Sequence, residues 1–419
     1  MRILFTTAWY PNRKVAGDGV FIQKHARAIA RINDVAVLMV QTDEAIRGWR
    51  VDICPEQETA TSVQESRLRE LLIYVPKTRF EIPVVTGLIR LAWLMIGYIK
   101  GYRYIKKNWW QGERPEACHV NVLTRAAGLP WLLSKIHHIP YIITEHWSRY
   151  ARPEAYPNSS LQLRLGRLFV KDAAYICPVS LNLEKAMKKW ELNNKHYTRI
   201  SNVVDTDLFV LPSNADAPES NLKESHIPRF VHVSWMRDDS KNISGILRVL
   251  ARLQADGLTY RMDFIGEGND KEMLMDYAHQ LGLSEPEVSF LPAQQGPALV
   301  SALQQHDALL MFSHFENQPV SVLEALACGL PVIATHVGTI PSMLAQKRGI
   351  TVEPRNEDQL YDALKNFIIL YQTMSPEQRL DKTLPQARHQ YVAEHHSPQV
   401  IGRQFDALYH AASSRSKAR

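Results

Sequence analysis

Cysteine is scarce in this 419-residue sequence: Cys54, Cys118, Cys177 and Cys328 stand apart, with no C-x-x-C spacing. That excludes a disulfide-stapled scaffold and a thiolate metal site, and it suits a reducing compartment. Long apolar stretches are missing too. The longest, residues 82–99, has Pro83 and Gly87 near its start and Arg90 in its middle, too broken for a membrane span. No apolar signal region follows Met1. The chain opens on the strand-like Arg2-Ile3-Leu4-Phe5, so a cytoplasmic protein is expected. There is no internal repeat and no low-complexity tract beyond the polar tail at 413–419. A net charge of +6 without a recognition motif argues against a nucleic-acid partner.

What is present is ordinary globular material, 45% hydrophobic and 22% charged. The length is too great for one core and predicts two domains. Charge is unevenly divided, +11 over residues 1–210 and −5 over 211–419. Chance variation of a surface accounts for this, and so does a front-half surface that meets a phosphorylated acceptor or a lipid headgroup layer.

Apolar runs of strand length alternate with helical stretches throughout, the pattern of an α/β protein with parallel sheets. Strands are predicted at 3–7, 35–40, 117–122, 141–144 and 175–179, with a helix over 21–31. The polar, proline-bearing segment 211–228 breaks the pattern. A second series then starts, with strands at 230–234, 261–265, 288–291, 308–312 and 331–335. A hinge is expected near 200–225 and a last helix over 400–412. Ligands of such sheets gather beyond the carboxyl ends of the strands, so the residues after each run are the candidates.

The richest stretch runs from Ser313 to Val332. It follows a predicted strand and opens a helix, with Pro319 suited to the first helical position and Gly329 to the C-terminal cap. The amides of Val320 and Ser321 at the helix start offer N–H groups and a positive dipole end to a diphosphate. Glu316 and Glu324 frame that start, and a carboxylate accepts hydrogen bonds from two vicinal hydroxyls. An E-x7-E spacing alone is weak; its strand–loop–helix–Gly–strand setting strengthens it.

This run resembles the E-x7-E signature of the family-4 retaining glycosyltransferases. The resemblance implies that Glu316 sits by the donor sugar and Glu324 binds the nucleotide ribose. Asn317 stands where glycine is usual, which bears on the sugar pocket. Gly338-Thr339-Ile340-Pro341-Ser342 resembles a second family motif but lacks its glutamate, so no role is carried to Ser342. Gly266-Glu267-Gly268 is similar to the strand-ending G-x-G on the nucleotide side. Asn202-Val203-Val204-Asp205 through Phe209 resembles the hinge segment, which explains Asp205-Thr206-Asp207 without a metal. In the phosphate-binding segment Lys241 matches, Trp235 stands where arginine is expected, and Arg237 lies two residues late. A shifted phosphate contact and a solvated surface arginine are both open for Arg237.

In the front half, Ala8-Trp9-Tyr10-Pro11 leads to Gly17 and Gly19, whose backbones permit close approach to a ligand. The resemblance makes this the loop over the sugar phosphate and acceptor. The strand at 141–144 runs into Glu145-His146-Trp147-Ser148, where His146 is implied to contact the donor sugar. His119 reads equally as site or core. Residues 86–110 interleave Trp93, Tyr98, Tyr102, Tyr104, Trp109 and Trp110 with Arg90, Lys100, Arg103, Lys106 and Lys107. Such a mixture suits an interfacial helix with rings at headgroup depth, or a domain helix whose apolar face is core.

The fold implied is GT-B: two Rossmann-like domains facing a central cleft, with the C-terminal helix crossing back to the first. Residues 1–205, joined by about 400–419, would bind the acceptor, and 206–399 the nucleotide sugar. The reaction implied is retaining hexosyl transfer from a nucleoside-diphosphate sugar to a carbohydrate or lipid-linked hydroxyl, with no cofactor and no metal. The catalytic candidates are Glu316, His146 and Lys241. A sugar-nucleotide epimerase of the same architecture and a catalytically silent sugar-nucleotide-binding partner are the alternatives.

Overall fold

The computed structural model of the chain describes all residues except 16, 47–49, 57–66, 78–82, 124, 152–160, 213–226 and 418–419. Most of the predicted break at 211–228 and part of the hinge region therefore lie outside the described residues. Contacts divide the chain into two units, Met1–Val203 with Pro398–Arg419, and Val204–Ser397.

The first unit holds strands β1 (Arg2–Thr7), β2 (Asp34–Asp43), β3 (Asp52–Glu56), β4 (Leu68–Pro76), β5 (Ala117–Asn121), β6 (Tyr141–Glu145) and β7 (Tyr175–Pro178). Their order is β3-β4-β2-β1-β5-β6-β7, parallel except for β3. Without β3 this is the 3-2-1-4-5-6 order of a Rossmann sheet. Apolar clusters cover both faces, which is why β1 and β2 read as nearly continuous hydrophobic runs. Strand β4 was not expected from sequence. Arg69 and Glu70 interrupt its apolar run, and Glu70 is nonetheless buried, accepting a hydrogen bond from the Tyr10 hydroxyl.

The second unit repeats the order. Strands β8 (Arg229–Val233), β9 (Arg261–Ile265), β10 (Val288–Leu291), β11 (Ala308–Met311), β12 (Val332–Thr335) and β13 (Gly349–Val352) form a parallel sheet, β10-β9-β8-β11-β12-β13. In both units the strand order reverses beside the first strand. The crevice at that point lies between the loops after β1 and β5 in one unit, and after β8 and β11 in the other.

Helix Pro398–Lys417 packs within the first unit against helix Val20–Ala30. A Cβ at Gly402 would lie 2.4 Å from the Ala28 carbonyl oxygen, so glycine sets this close crossing. Helix Pro83–Asn108 lies on β2 and β4. Gly97 and Gly101 seat it there: added Cβ atoms would meet Val40 and Leu38 side chains at 2.6 and 2.4 Å. This corrects the interfacial reading for half of its rings. Trp93 and Tyr98, with Trp110 beyond the helix, are buried in the core, and the Tyr98 hydroxyl donates to the Thr7 carbonyl at 2.9 Å. Lys106 is half-buried, while Leu88, Arg90, Leu91, Ile96, Lys100, Arg103 and Lys107 are exposed. Among the described residues no helix is long and apolar enough to cross a membrane.

Candidate functional site

Past β8 the chain runs through Ser234, Trp235 and Met236 into a short helix, Asp238–Lys241. Backbone bonds hold this stretch to the loop after β9: Ser234 N–H to Ile265 at 3.2 Å and Met236 N–H to Glu267 at 2.7 Å. A Cβ at Gly266 would lie 1.9 Å from the Ser234 carbonyl oxygen, and one at Gly268 2.1 Å from that of Met236. The glycines of the G-x-G thus make room for protein backbone. Met236 is buried, while Trp235 between the two pinned residues is 56% exposed.

Past β11 the chain turns through Ser313, His314, Phe315, Glu316 and Asn317. His314 N–H donates to the Ser240 carbonyl at 2.8 Å and ties this loop to the one after β8. The tie brings Lys241 onto Glu316, ammonium to carboxylate, at 2.5 Å, with 20% and 10% of the side chains exposed. Gly338, after β12, backs the loop at a positive φ of 57°, and a Cβ there would sit 2.1 Å from the Glu316 carbonyl oxygen. The Thr339 amide and hydroxyl each donate to the Asn317 carbonyl at 3.0 Å. Glu316 therefore sits on a loop held from both neighbouring strands.

The helix after this loop spans Val320–Ala327, and Pro319 is its N-cap in extended geometry rather than its first residue. Val320 and Ser321, half-buried, carry the first helical amides, which have no carbonyl partner within the helix. At the other end the amides of Leu330 and Gly329 close onto the carbonyls of Ala325 and Leu326, a Schellman motif with Gly329 at φ 82°. Glu324 is buried, 6% exposed. Arg237 pairs with Asp239 at 2.7 Å, both more than half exposed. Asp205 closes a turn, accepting the Asp207 N–H at 3.2 Å.

In the first unit Gly19 caps helix Val20–Ala30 at φ 65°, where a Cβ would lie 2.7 Å from the Trp9 carbonyl; Gly17 is an exposed turn residue. His146 follows β6, its Nε2 3.1 Å from Asn121 Oδ1 at the end of β5, and its ring lies tilted against those of Phe21 and His25. Burial first, then the neighbouring His25 and His119, hold it well below the ordinary histidine range, so it is neutral. His119 is a core residue, fully buried between the Tyr409 hydroxyl and Thr144 Oγ1 at 2.7 Å each. Burial lowers His25 to about 4. Asn121 and Glu145 escaped the sequence reading; their signal was a polar residue at the carboxyl end of a buried strand.

Residues 213–381 match the sequence model of the family described as "Glycosyl transferases group 1". The second unit is a group 1 glycosyl transferase domain. The chain is 22% identical over 376 residues to TuaC of Bacillus subtilis strain 168, a protein named for teichuronic acid biosynthesis, covering 88% of this chain and 89% of that one. Among solved structures it resembles a sucrose-phosphate synthase from Thermosynechococcus elongatus, with a TM-score of 0.74, 15% identity, and 99% and 100% coverage. It also resembles Anabaena Alr3699/HepE in complex with UDP-glucose, with a TM-score of 0.70, 16% identity, and 99% and 100% coverage. The fold is GT-B and the protein is a glycosyltransferase. Within this group 1 domain, Lys241, Glu316 and the Val320 helix start meet at the strand-order reversal.

Proposed function

We propose that this glycosyltransferase is a retaining enzyme of the family-4 type. It would move a hexosyl unit from a nucleoside-diphosphate sugar to an acceptor hydroxyl in the assembly of a cell-surface polysaccharide or glycolipid. The observation that carries the reading is the Lys241–Glu316 pair beside the first amides of helix Val320–Ala327, at the reversal point of the second sheet. A cation and aligned amides suit a departing diphosphate, and a carboxylate suits sugar hydroxyls. Glu324 is assigned to the ribose, and neutral His146 to the donor sugar. In the step favoured, the acceptor oxygen bonds to the anomeric carbon on the face the phosphate leaves, and the acceptor proton passes to a phosphate oxygen. No metal is assigned; among the described residues no cluster of potential ligands occurs.

The acceptor is assigned as a carbohydrate or lipid-linked hydroxyl on the cytoplasmic face of an anionic membrane. Leu88, Leu91 and Ile96 with Lys100, Arg103 and Lys107 on the exposed side of helix Pro83–Asn108 support peripheral contact there. The test is release of nucleoside diphosphate from uridine, guanosine and adenosine diphosphate sugars, with chelator present and absent. Turnover of one donor, indifferent to chelator, is expected. Binding without turnover of any donor would favour a silent partner, and loss with chelator restored by manganese would overturn metal independence. Sedimentation with anionic vesicles at low salt, lost on Lys100, Arg103 and Lys107 charge reversal, tests the membrane contact.

A further inference from the structure

The carboxylate of Glu145, the last residue of β6, is fully buried. Its Oε2 accepts the Leu123 N–H at 2.8 Å, from the loop after β5. Its Oε1 accepts the His146 and Trp147 N–H groups at 2.9 and 2.8 Å, from the loop after β6. The groups that favour its charge are these three amides and the Tyr150 hydroxyl, with no cation among them. Trp147 in turn packs edge-on against Trp9 in the loop after β1, ring centres 5.2 Å apart. One acid therefore ties together loops that follow three strands around the crevice of the first sheet.

Among the described residues this carboxylate has no cationic partner, and burying it so is a costly way to hold two loops, since desolvation opposes its charge. An uncharged acceptor or an apolar contact would hold them as a matter of folding alone. The carboxylate adds a bidentate, charge-assisted anchor at the peptide carrying His146, whose ring is fixed on its other side by Asn121. We propose that Glu145 is the positioning residue of this crevice: it clamps the loops after β5 and β6 and so sets the His146 ring. The inference rests on the assignment of His146 to the donor sugar and goes beyond it in naming what aims the ring. Glutamine in this place keeps the size but turns an amide N–H toward one of the three donors.

The experiment compares wild type, Glu145→Gln, His146→Ala and the double variant, with a donor that wild type turns over. Glu145→Gln is expected to lower kcat about 10- to 100-fold, as small misplacement of a reacting geometry does. Nucleoside diphosphate affinity should stay within about twofold of wild type. The double variant should be no slower than His146→Ala, because the clamp acts through that ring. A folded Glu145→Gln with wild-type kcat, or losses that multiply in the double variant, would sink the clamp while leaving the His146 assignment standing. Wild-type kcat in His146→Ala would overturn that assignment and the clamp with it. If Glu145→Gln does not accumulate, Glu145→Asp serves: it keeps the acid but withdraws it by one methylene from the amides.

Discussion

At the ends of β8 and β11 the second sheet offers charge: Lys241 on Glu316, and the amides of a helix start. At the ends of β1, β5 and β6 the first sheet offers neutral rings: His146 beside His25 and Phe21, Trp147 against Trp9, and an acid spent on backbone amides. Strand order is the same in both, so topology places a crevice but does not choose its chemistry. The choice lies in the few residues after each strand. The second sheet presents ionic groups that can answer a diphosphate. Around His146 the first sheet buries His25, His119 and Glu145 and leaves shape and hydrogen bonding.

The hardest blow to this contrast is removal of the charged pair. Lys241→Ala is expected to lower transfer by roughly 100- to 1000-fold, the effect of deleting one group that meets developing negative charge. Glu316→Gln should cause a loss of the same order. Steady-state kinetics on folded variants checks both, and wild-type kcat in either would remove the second crevice from the chemistry.

Acid should separate the units by stability. Burial holds His25 at about 4 and puts His119 and His146 well below the ordinary value. In the second unit His232 is fully buried and is likewise held at about 4. A histidine whose folded pKa is depressed contributes stability above pH about 6.5, lost as pH falls toward its folded value, at about 1.4 kcal/mol per pH unit. Glu145 runs the other way. Burial raises it to about 7, so its contribution is complete below about 4.5 and is lost as pH rises through 7. Three lowered histidines outweigh Glu145 and Asp18, the acids that burial raises, so the first unit loses more between about pH 6.5 and 4. Limited proteolysis mapped to the two units, near pH 7 and about pH 5, reads this directly. Equal loss in both units would contradict the neutral-ring description.

Glu324→Gln is expected to weaken nucleoside diphosphate binding about tenfold with kcat little changed, since a ribose contact is the same in ground and transition states. Its burial adds a cost in stability that a glutamate in open solvent would not carry. Titration calorimetry with the diphosphate and a melting curve distinguish the two. A fall in kcat at constant affinity would move Glu324 from binding to the chemical step.

Much of this was legible in the chain. Alternating runs gave the α/β class, and the Ser313–Val332 stretch announced its strand, helix and Gly329 cap through local geometry. What stayed hidden depends on distant residues. Lys241 and Glu316 are 75 positions apart, and only pairing of β8 with β11 brings their loops together. That Gly266 and Gly268 make room for the carbonyls of Ser234 and Met236 was hidden too, because sequence cannot tell which atoms fill the space a missing side chain leaves. In residues 86–110 composition suggested rings at a surface, but Gly97 and Gly101 press the helix onto β2 and β4 and take Trp93 and Tyr98 inside. Glu145 looked like any acid at a strand end, because its partners are amides that no sequence pattern marks.

The smallest expected effect concerns Arg237, and it decides which cations make the second crevice ionic. Trp235 occupies the position where the resemblance expects arginine, so Arg237 two residues on is the natural substitute. Its guanidinium, however, is paired with Asp239 at 2.7 Å, and both side chains are more than half exposed. An exposed pair of this kind contributes about 0–1 kcal/mol to stability, and a guanidinium already matched by a carboxylate offers little net charge to a phosphate. Lys241 is matched too, but by Glu316, which is assigned to the sugar and would turn to it when the donor is bound. Arg237→Ala is therefore expected to change the melting temperature little and transfer by less than about threefold. Kinetics of Arg237→Ala beside Lys241→Ala checks this. A loss for Arg237→Ala as large as that for Lys241→Ala would show that the arginine leaves Asp239 for the diphosphate, and that the ionic half of the comparison rests on two cations.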